Sequence, residues 1–437
     1  MIANIKEYGA LPIGAEEREI LRDSPALCTE AFRRAIDACA GEGGGTVYVP
    51  AGIYFTGAIH LKSNICLYLE PGAVIRFSRE ERDYPLVHTR WEGVEREVYS
   101  PQVFGENLEN VSISGYGTLD GQGDAWWGLV FSDGLRYPRP RLIHFVNCKG
   151  VRIEGVKLVC SPSWTVHPLL CENVTIQNIT IQNPPDSPNT DGINPESCRN
   201  VHISNCHVDV GDDCITIKSG VEDCPEKIPC ENITITNCIL VHGHGGVVIG
   251  SEMSGGIRNV VISNCVFEGT DRGIRMKSRR GRGGIVEDIR VDNLVMKSVL
   301  CPIVLHLFYF CGPKGKDRYV WDKSAYPVNE GTPAFRGIHF SNITARQVRA
   351  CAGFIYGLPE MPIEEVILSD ITVELAENAE PGLPAMMSDL EPMSGRGFIC
   401  CNVKELSFDR VRIRNQTGPA FEISNGTNVS LPREVRE

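Results

Sequence analysis

The chain has 437 residues, 42% hydrophobic and 22% charged, with a formal net charge of −12. That size and composition describe a globular protein with a large core, built as two or three ordinary domains or as one elongated repeat domain. The acidic balance excludes a nucleic-acid binder, which needs a basic face for phosphates, and any acidic ligand must be met by a local basic patch.

The opening MIANIKEYGALPIGAEERE has no apolar stretch behind a basic start, and no apolar run is long enough to span a bilayer. The expected location is the cytoplasm, with no membrane partner. Ser24–Ala40 carries the one good helical stripe: Ala31, Phe32, Ala35, Ile36 and Cys39. Gly43–Gly45 end it, and TVYVPAGIYFTG begins the strands. A helix there would cap the open edge of a stacked sheet. Arg79–Gln102, Gly312–Pro333 and Ala376–Arg396 are polar and rich in Gly, Pro and charge. They read as long loops, placed to wall a binding cleft.

From Glu109 a phrase repeats: ENVSISGYGTLDG, then KGVRIEGVKL from Lys149, ENVTIQNITIQN from Glu172 and RNVHISNCHVDV from Arg199. It continues as ENITITNCILVHG from Glu231, RNVVISNCVFEG from Arg258 and EDIRVDNLVMKS from Glu287, with weaker copies from Arg336, Glu364 and Lys404. The central copies recur every roughly 23–32 residues, a solenoid period. Each pairs a short alternating strand with an Asn- or Gly-containing turn and a second short strand. One such coil cannot bury its inner face alone, so the coils must stack. Leucine-rich and propeller repeats lack the matching phrases. The expected fold is all-β: a single right-handed parallel β-helix with an N-terminal capping helix. It forms one domain over 1–437, with the cap and first coils in 1–100, central coils in 105–310 and C-terminal coils in 336–437. Recurrent Asn would form a ladder from coil to coil, so Asn110, Asn173, Asn178, Asn232 and Asn342 read as structural and not as glycosylation sites. The 18 cysteines include no CxxC pair, and Cys148, Cys206, Cys238 and Cys265 follow Asn at recurring places. They read as buried, reduced, stacked thiols.

Reactive residues fall on successive coils. Asp191 lies in Asn189-Thr190-Asp191-Gly192, Asp212 and Asp213 in Gly211-Asp212-Asp213-Cys214, and His244 in Gly243-His244-Gly245. Arg275-Met276-Lys277 and Tyr309 follow. Steps of about one coil stack such groups in one column. Alone, an Asp-Gly is a turn, Asp212-Asp213 a solvated turn or calcium pair, and His242/His244 a zinc spacing without a third ligand. Together, grouped carboxylates supply the general acid and base that acetal hydrolysis requires. Arg275 and Lys277 share a strand face, and RMKSRRGRGG, with Arg279, Arg280 and Arg282, is the most basic segment. It supplies the patch an acidic sugar needs, although a basic run is more often a solvated face.

At these residues the chain resembles the polygalacturonases, glycoside hydrolase family 28. The likeness lies in NTDG at Asn189–Gly192, GDDC at Gly211–Cys214, GHG at Gly243–Gly245, RxK at Arg275–Lys277, and Tyr309. It extends more loosely from GGGTVYVPAG at Gly43. The resemblance implies an inverting hydrolase of α-1,4-galacturonosyl linkages. Asp212 would be proton donor, Asp191 and Asp213 would act on the attacking water, and His244 would tune the donor. Asn189, Arg275, Lys277 and Tyr309 would bind galacturonate. An inverting site separates acid and base by about 6.5–9.5 Å. SEMSGG after Gly250 and the extended KSRRGRGG resemble the exo-acting branch. The implied partner is oligo- or polygalacturonate, and no metal or organic cofactor is required. The competing readings are a rhamnogalacturonan or substituted-pectin hydrolase, a pectate lyase and a non-catalytic carbohydrate-binding solenoid.

Overall fold

A computed structural model describes residues 1–13, 26–132 and 134–432. The chain divides into two compact units, Met1–Asp212 and Asp213–Glu437. Each is built of right-handed parallel β-helix coils, as the repeats predict. No helix among the described residues is long and apolar enough to cross a membrane.

In the first unit the inward positions of successive coils stack in strict register. Val47 pairs with Leu67, Leu67 with Ile113, Ile113 with Ile153, Ile153 with Ile176 and Ile176 with Ile203. A second column runs Ile75, Leu119, Leu158, Ile181 and Val208. All of these side chains are buried. Each contributes about 1.5–3 kcal/mol of apolar burial, available only once the neighbouring coil is in place. The helix Thr29–Gly41 buries the predicted stripe, Ala31, Phe32, Ala35, Ile36 and Cys39, against the first strands. Thr29 Oγ1 lies 3.1 Å from Thr56 Oγ1 and accepts the Gly57 N–H at 2.8 Å, pinning the helix to the sheet. The helix begins later than the sequence pattern suggests: Ala26–Cys28 is non-helical, and Ser24 and Pro25 lie outside the described residues.

The stretch Arg79–Gln102 departs from expectation. It is not an irregular loop: Leu86–Trp91 and Val94–Tyr99 form an antiparallel hairpin. Its two turn residues, Glu92 at φ +48° and Gly93 at φ +85°, are both left-handed, as the tight turn matching strand twist requires. A helix that the repeat pattern did not signal, Asp124–Phe131, buries Trp126 edge-on to Tyr84 at 5.5 Å and against Tyr99 at 6.0 Å, anchoring the hairpin.

In the second unit the corresponding column is Ile235, Ile262, Val291, Phe340, Leu368 and Phe408. A second ladder sets Arg275 against Val248 and Val304, and Lys277 against His306. Gly312–Pro333 holds only short helical turns at Pro313–Lys316 and Arg318–Trp321, consistent with a loop.

The asparagine ladder is present in both units. Asn110 Nδ2 donates to Asn64 Oδ1 at 3.1 Å, Asn147 to Asn107 at 2.6 Å and Asn200 to Asn173 at 3.0 Å. In the second unit Asn259 donates to Asn232 at 3.0 Å and Asn293 to Asn264 at 2.8 Å. These residues sit at φ near +55° (Asn110 +53°, Asn293 +54°), a left-handed turn that Asn tolerates better than other non-glycine residues. All 18 cysteines are free thiols, and Cys148, Cys206, Cys238 and Cys265 are buried as expected. In one stack Cys148, Cys171 and Cys198 each donate to a carbonyl one coil back, at 3.6, 3.4 and 3.3 Å.

The ladder yields a prediction. Asn293→Val forces a β-branched residue into the left-handed turn and removes a hydrogen bond, a loss of about 2 kcal/mol. Asn293→Gly keeps the turn and loses only the bond, about half as much. Urea midpoints should rank wild type, Gly, then Val; equal midpoints for the two variants would show that the turn conformation is not the constraint.

Candidate active site

Asn189, Asp191 and Asp212 lie in the first unit. The turn that carries Asn189 and Asp191 is fastened by Thr190, a fully buried residue. Thr190 Oγ1 is 2.5 Å from Ser187 Oγ and accepts the Gly211 N–H at 3.3 Å, which draws the Gly211-Asp212 turn toward it. A Cβ at Gly211 would lie 2.4 Å from the Ser187 carbonyl oxygen and 2.7 Å from that of Pro184, so only glycine fits. Asp191 is buried at 4% exposure, and its Oδ2 accepts from Asn194 Nδ2 at 3.1 Å. Asp212 is half-buried. One oxygen of Asp191 and one of Asp212 lie within 4.8 Å of each other.

The sequence reading missed Arg139, in the segment Pro138-Arg139-Pro140 outside the repeats. Its Nη2 donates to the Pro188 carbonyl at 2.6 Å and to Asn189 Oδ1 at 3.0 Å, so it orients the predicted sugar-binding asparagine. Burial brings the Arg139 guanidinium down to about 10, opposed by the charges of Glu92, Asp191 and Asp212, so it remains cationic at neutral pH.

Asp213, His244, Arg275, Lys277 and Tyr309 lie in the second unit. On the strand Arg272–Lys277, Ile274 and Met276 pack into the core, while Arg275 and Lys277 alternate to the opposite face. There Arg275 Nη1 donates to Asp213 Oδ1 at 3.1 Å and Lys277 Nζ to Asp213 Oδ2 at 2.7 Å. All three side chains are almost fully buried. Burial pushes the Asp213 carboxyl up, but Lys277 and Arg275, with the Lys277 hydrogen bond and a smaller effect of His244, hold it well below the usual carboxylate range. The Tyr309 ring lies 5.7 Å from the Arg275 guanidinium carbon and 5.1 Å from Lys277 Nζ. Arg275 Nη2 also meets Met386 Sδ at 3.1 Å, so the loop Ala376–Arg396 covers this strand, as its composition suggested. His244 is exposed.

Two expectations are corrected here. Counting one-coil steps aligned Arg275 with His244, but the strand register aligns it with Val248. Coils differ in turn length, and Gly245 lies beside the Arg275–Asp213 pair, where a Cβ would first meet Val248 Cγ2 at 2.4 Å. A Cβ there would sit 3.2 Å from Asp213 Oδ1 and 3.4 Å from Arg275 Cδ. The basic run is also not a free patch. Arg279 and Arg282 both pair with Glu222, at 2.7 and 2.6 Å. Arg280 pairs with Glu360 at 2.5 Å, donates to three carbonyls and stacks on Tyr326 at 4.7 Å. The run is buried structural wiring, and the cations facing the site are Arg275 and Lys277. His306, also missed, is fully buried beside Lys277, and burial with the charges of Arg275, Arg272, Lys277 and Lys323 keeps it neutral.

The model of the family "Glycosyl hydrolases family 28" matches residues 46–380. The chain is 34% identical over 407 residues to a probable polygalacturonase of Vitis vinifera, covering 89% of this chain and 80% of that one. It is 29% identical over 311 residues to an endo-polygalacturonase of Pectobacterium carotovorum subsp. carotovorum, covering 66% and 74%. Among solved structures it is similar to a hyperthermoactive exopolygalacturonase from Thermotoga maritima, with TM-score 0.77 and 32% identity over 95% of this chain and 92% of that one.

The buried ion pairs set an acid limit on stability. Against the effect of burial, Arg282 and Arg279 bring Glu222 down to about 2, and Lys218 and Arg282 do the same for Glu252, while Asp213 lies lower still. Unfolded carboxyls titrate near about 4, so this stabilisation is fully present above about pH 5 and fades as pH falls toward 2. Thermal midpoints of wild type and Glu222→Gln should differ most above about pH 5 and converge only as pH falls to about 2 and below. A gap independent of pH would show that these pairs do not set the limit.

Proposed function

We propose that this chain, a glycosidase that belongs to glycosyl hydrolases family 28, hydrolyses α-1,4-galacturonosyl linkages of polygalacturonate or its oligomers. The observation that carries the substrate reading is the buried group of Arg275, Lys277 and Asp213 above Tyr309. Two cations and one carboxylate leave one net positive charge, which matches a single uronate carboxylate. Tyr309 offers a ring face for the sugar. A carboxyl pair as close as Asp191 and Asp212 supports hydrolysis over elimination, since an acetal hydrolase needs both an acid and a base.

Asp212, the less buried of that pair, is the proton donor to the leaving oxygen. Asp191 and Asp213 act on water. Asp213 uses both oxygens to accept from Arg275 and Lys277, and Asp191 is buried and tied to Asn194. Neither is well placed to attack a sugar carbon directly, whereas a water molecule is small enough to be polarised by them. That argument supports inversion. Proton NMR of early product should then show the β-anomer first; α-anomer first would mean a covalent intermediate and retention.

Exo action is the favoured mode. It is supported by the likeness to an exopolygalacturonase across nearly the whole chain. Asp212→Asn should lower turnover of oligogalacturonides by about 10²–10⁴-fold with an unchanged circular-dichroism spectrum. Wild-type turnover by that variant would sink the assignment. On long polygalacturonate the wild type should release small sugars with slow viscosity loss, and a rapid fall in viscosity would instead establish endo action.

A further inference from the structure

On the outward face of the first unit, one column of side chains is missing a rung. Parallel register places Tyr48, Tyr68, Ser114, Glu154 and Gln177 on successive coils. Tyr48 covers one face of the Tyr68 ring, with centroids 6.0 Å apart and planes 8° from parallel. The next position is Ser114, too short to cover the other face, and its Oγ lies 3.2 Å from Cys66 Sγ. Tyr68 and Glu154 are thus two coil steps apart, about 9.6 Å, with only a serine between them. The same register puts Gly155 one coil before Asn178 and Gly115 one coil before that, so no side chain fills the neighbouring turn either. The result is a groove of about 690 Å³, whose lining includes Tyr68, Ser114, Tyr116, Glu154 and Asn178. That volume falls within the range of about 300–1,000 Å³ common among small-ligand sites. The groove is at a different corner of the coil from the carboxyl pair. It opens at the turn between the strands Glu109–Gly115 and Thr118–Asp120, whereas Asp191 and Asp212 follow the second strands of their coils, Thr180–Gln182 and His207–Val210.

We propose that this groove is a carbohydrate-binding site for a neutral hexopyranose chain, separate from the hydrolytic site. One sugar ring takes the place of the missing rung, with its C–H face on the open face of Tyr68. Its hydroxyls donate to Glu154. There Oε2 already accepts from Gln177 Nε2 at 2.8 Å and from Arg152 Nη1 at 3.4 Å, while Oε1 accepts no hydrogen bond among the described residues. These two donors hold the carboxylate in place, and a hydroxyl bonded to an ionised acceptor makes a strong hydrogen bond. The Asn178 amide, which makes no side-chain hydrogen bond among the described residues, offers a donor and an acceptor beside it. Tyr116 is 73% exposed and stands at the mouth, where a ring with a polar edge suits the next sugar of the chain. The lining holds one carboxylate and no cation, so a uronate is repelled and a neutral sugar is not. This is the opposite selection from that of Arg275 and Lys277, and it does not depend on which linkage the chain hydrolyses. A polysaccharide that carries neutral as well as acidic sugars could be held here by the former while the latter reach the carboxyl pair.

The test is calorimetric titration of the full chain with α-1,4-galactotriose, which differs from trigalacturonate only in carrying neutral C6 groups. The wild type should bind it with Kd of about 1 mM. Ser114→Tyr continues the tyrosine ladder into the groove and should weaken binding at least about tenfold, as should Tyr116→Ala and Glu154→Ala. Glu154→Gln keeps an acceptor and should lose less. Turnover of trigalacturonate by all four variants should stay within about twofold of wild type. Absence of binding by the wild type at about 10 mM galactotriose would overturn the site, and so would wild-type affinity in folded Ser114→Tyr and Tyr116→Ala. If Ser114→Tyr does not fold, Tyr68→Ala replaces it, with the same loss expected and the same overturning result. Loss of trigalacturonate turnover in step with galactotriose binding would also overturn the proposal, because the groove would then belong to the hydrolytic site. If the wild type turns over no galacturonide, the hydrolase reading fails, and the binding measurements still decide the groove.

Discussion

No coil of this chain can satisfy its own backbone. A parallel strand takes its hydrogen bonds from the coils before and after it, so every inward side chain is fixed in height by the register of its neighbours. The Val47-to-Ile203 column in the first unit and the Ile235-to-Phe408 column in the second are direct expressions of that constraint. The left-handed asparagines follow from it too. Each turn must reverse the chain in the same place on every coil, and an Asn that reaches its counterpart one coil away holds that place by geometry and by hydrogen bonding.

The same constraint explains how functional groups are delivered. Side chains on the outward face of a coil arrive at fixed heights, and glycine clears the paths between them. Gly211 lets two turns of the first unit close on each other, and Gly245 leaves room for Val248 beside the Arg275–Asp213 pair. The electrostatics then follow from burial. An acidic protein sequesters most cations of its basic run in internal pairs with Glu222 and Glu360, and directs Arg275 and Lys277 to one buried aspartate.

The repeat, the fold class and the identities of the candidate residues were legible in the sequence because a periodic core leaves a periodic record. What was not legible depends on partners distant along the chain. The Arg279–Arg282 run looks like a surface patch until Glu222 and Glu360 fold against it. Arg139 sits between two prolines outside any repeat, and only the folded chain brings it to Asn189. The hairpin was hidden because its turn is Glu92-Gly93, without the Asn that usually signals such a turn. Step counting misjudged Arg275 because it treats all coils as equal in length, whereas hydrogen-bond register ignores the turns.

The glycine at 211 has a meaning separate from that of the two aspartates after it. It is held by steric contact with the Ser187 and Pro184 carbonyls, whatever chemistry the neighbouring residues perform. Gly211 and Thr190 are therefore required by the turn alone, and a substitution at Asp212 would leave their contacts in place. In this architecture the glycine of the motif marks the turn and is by itself no record of activity.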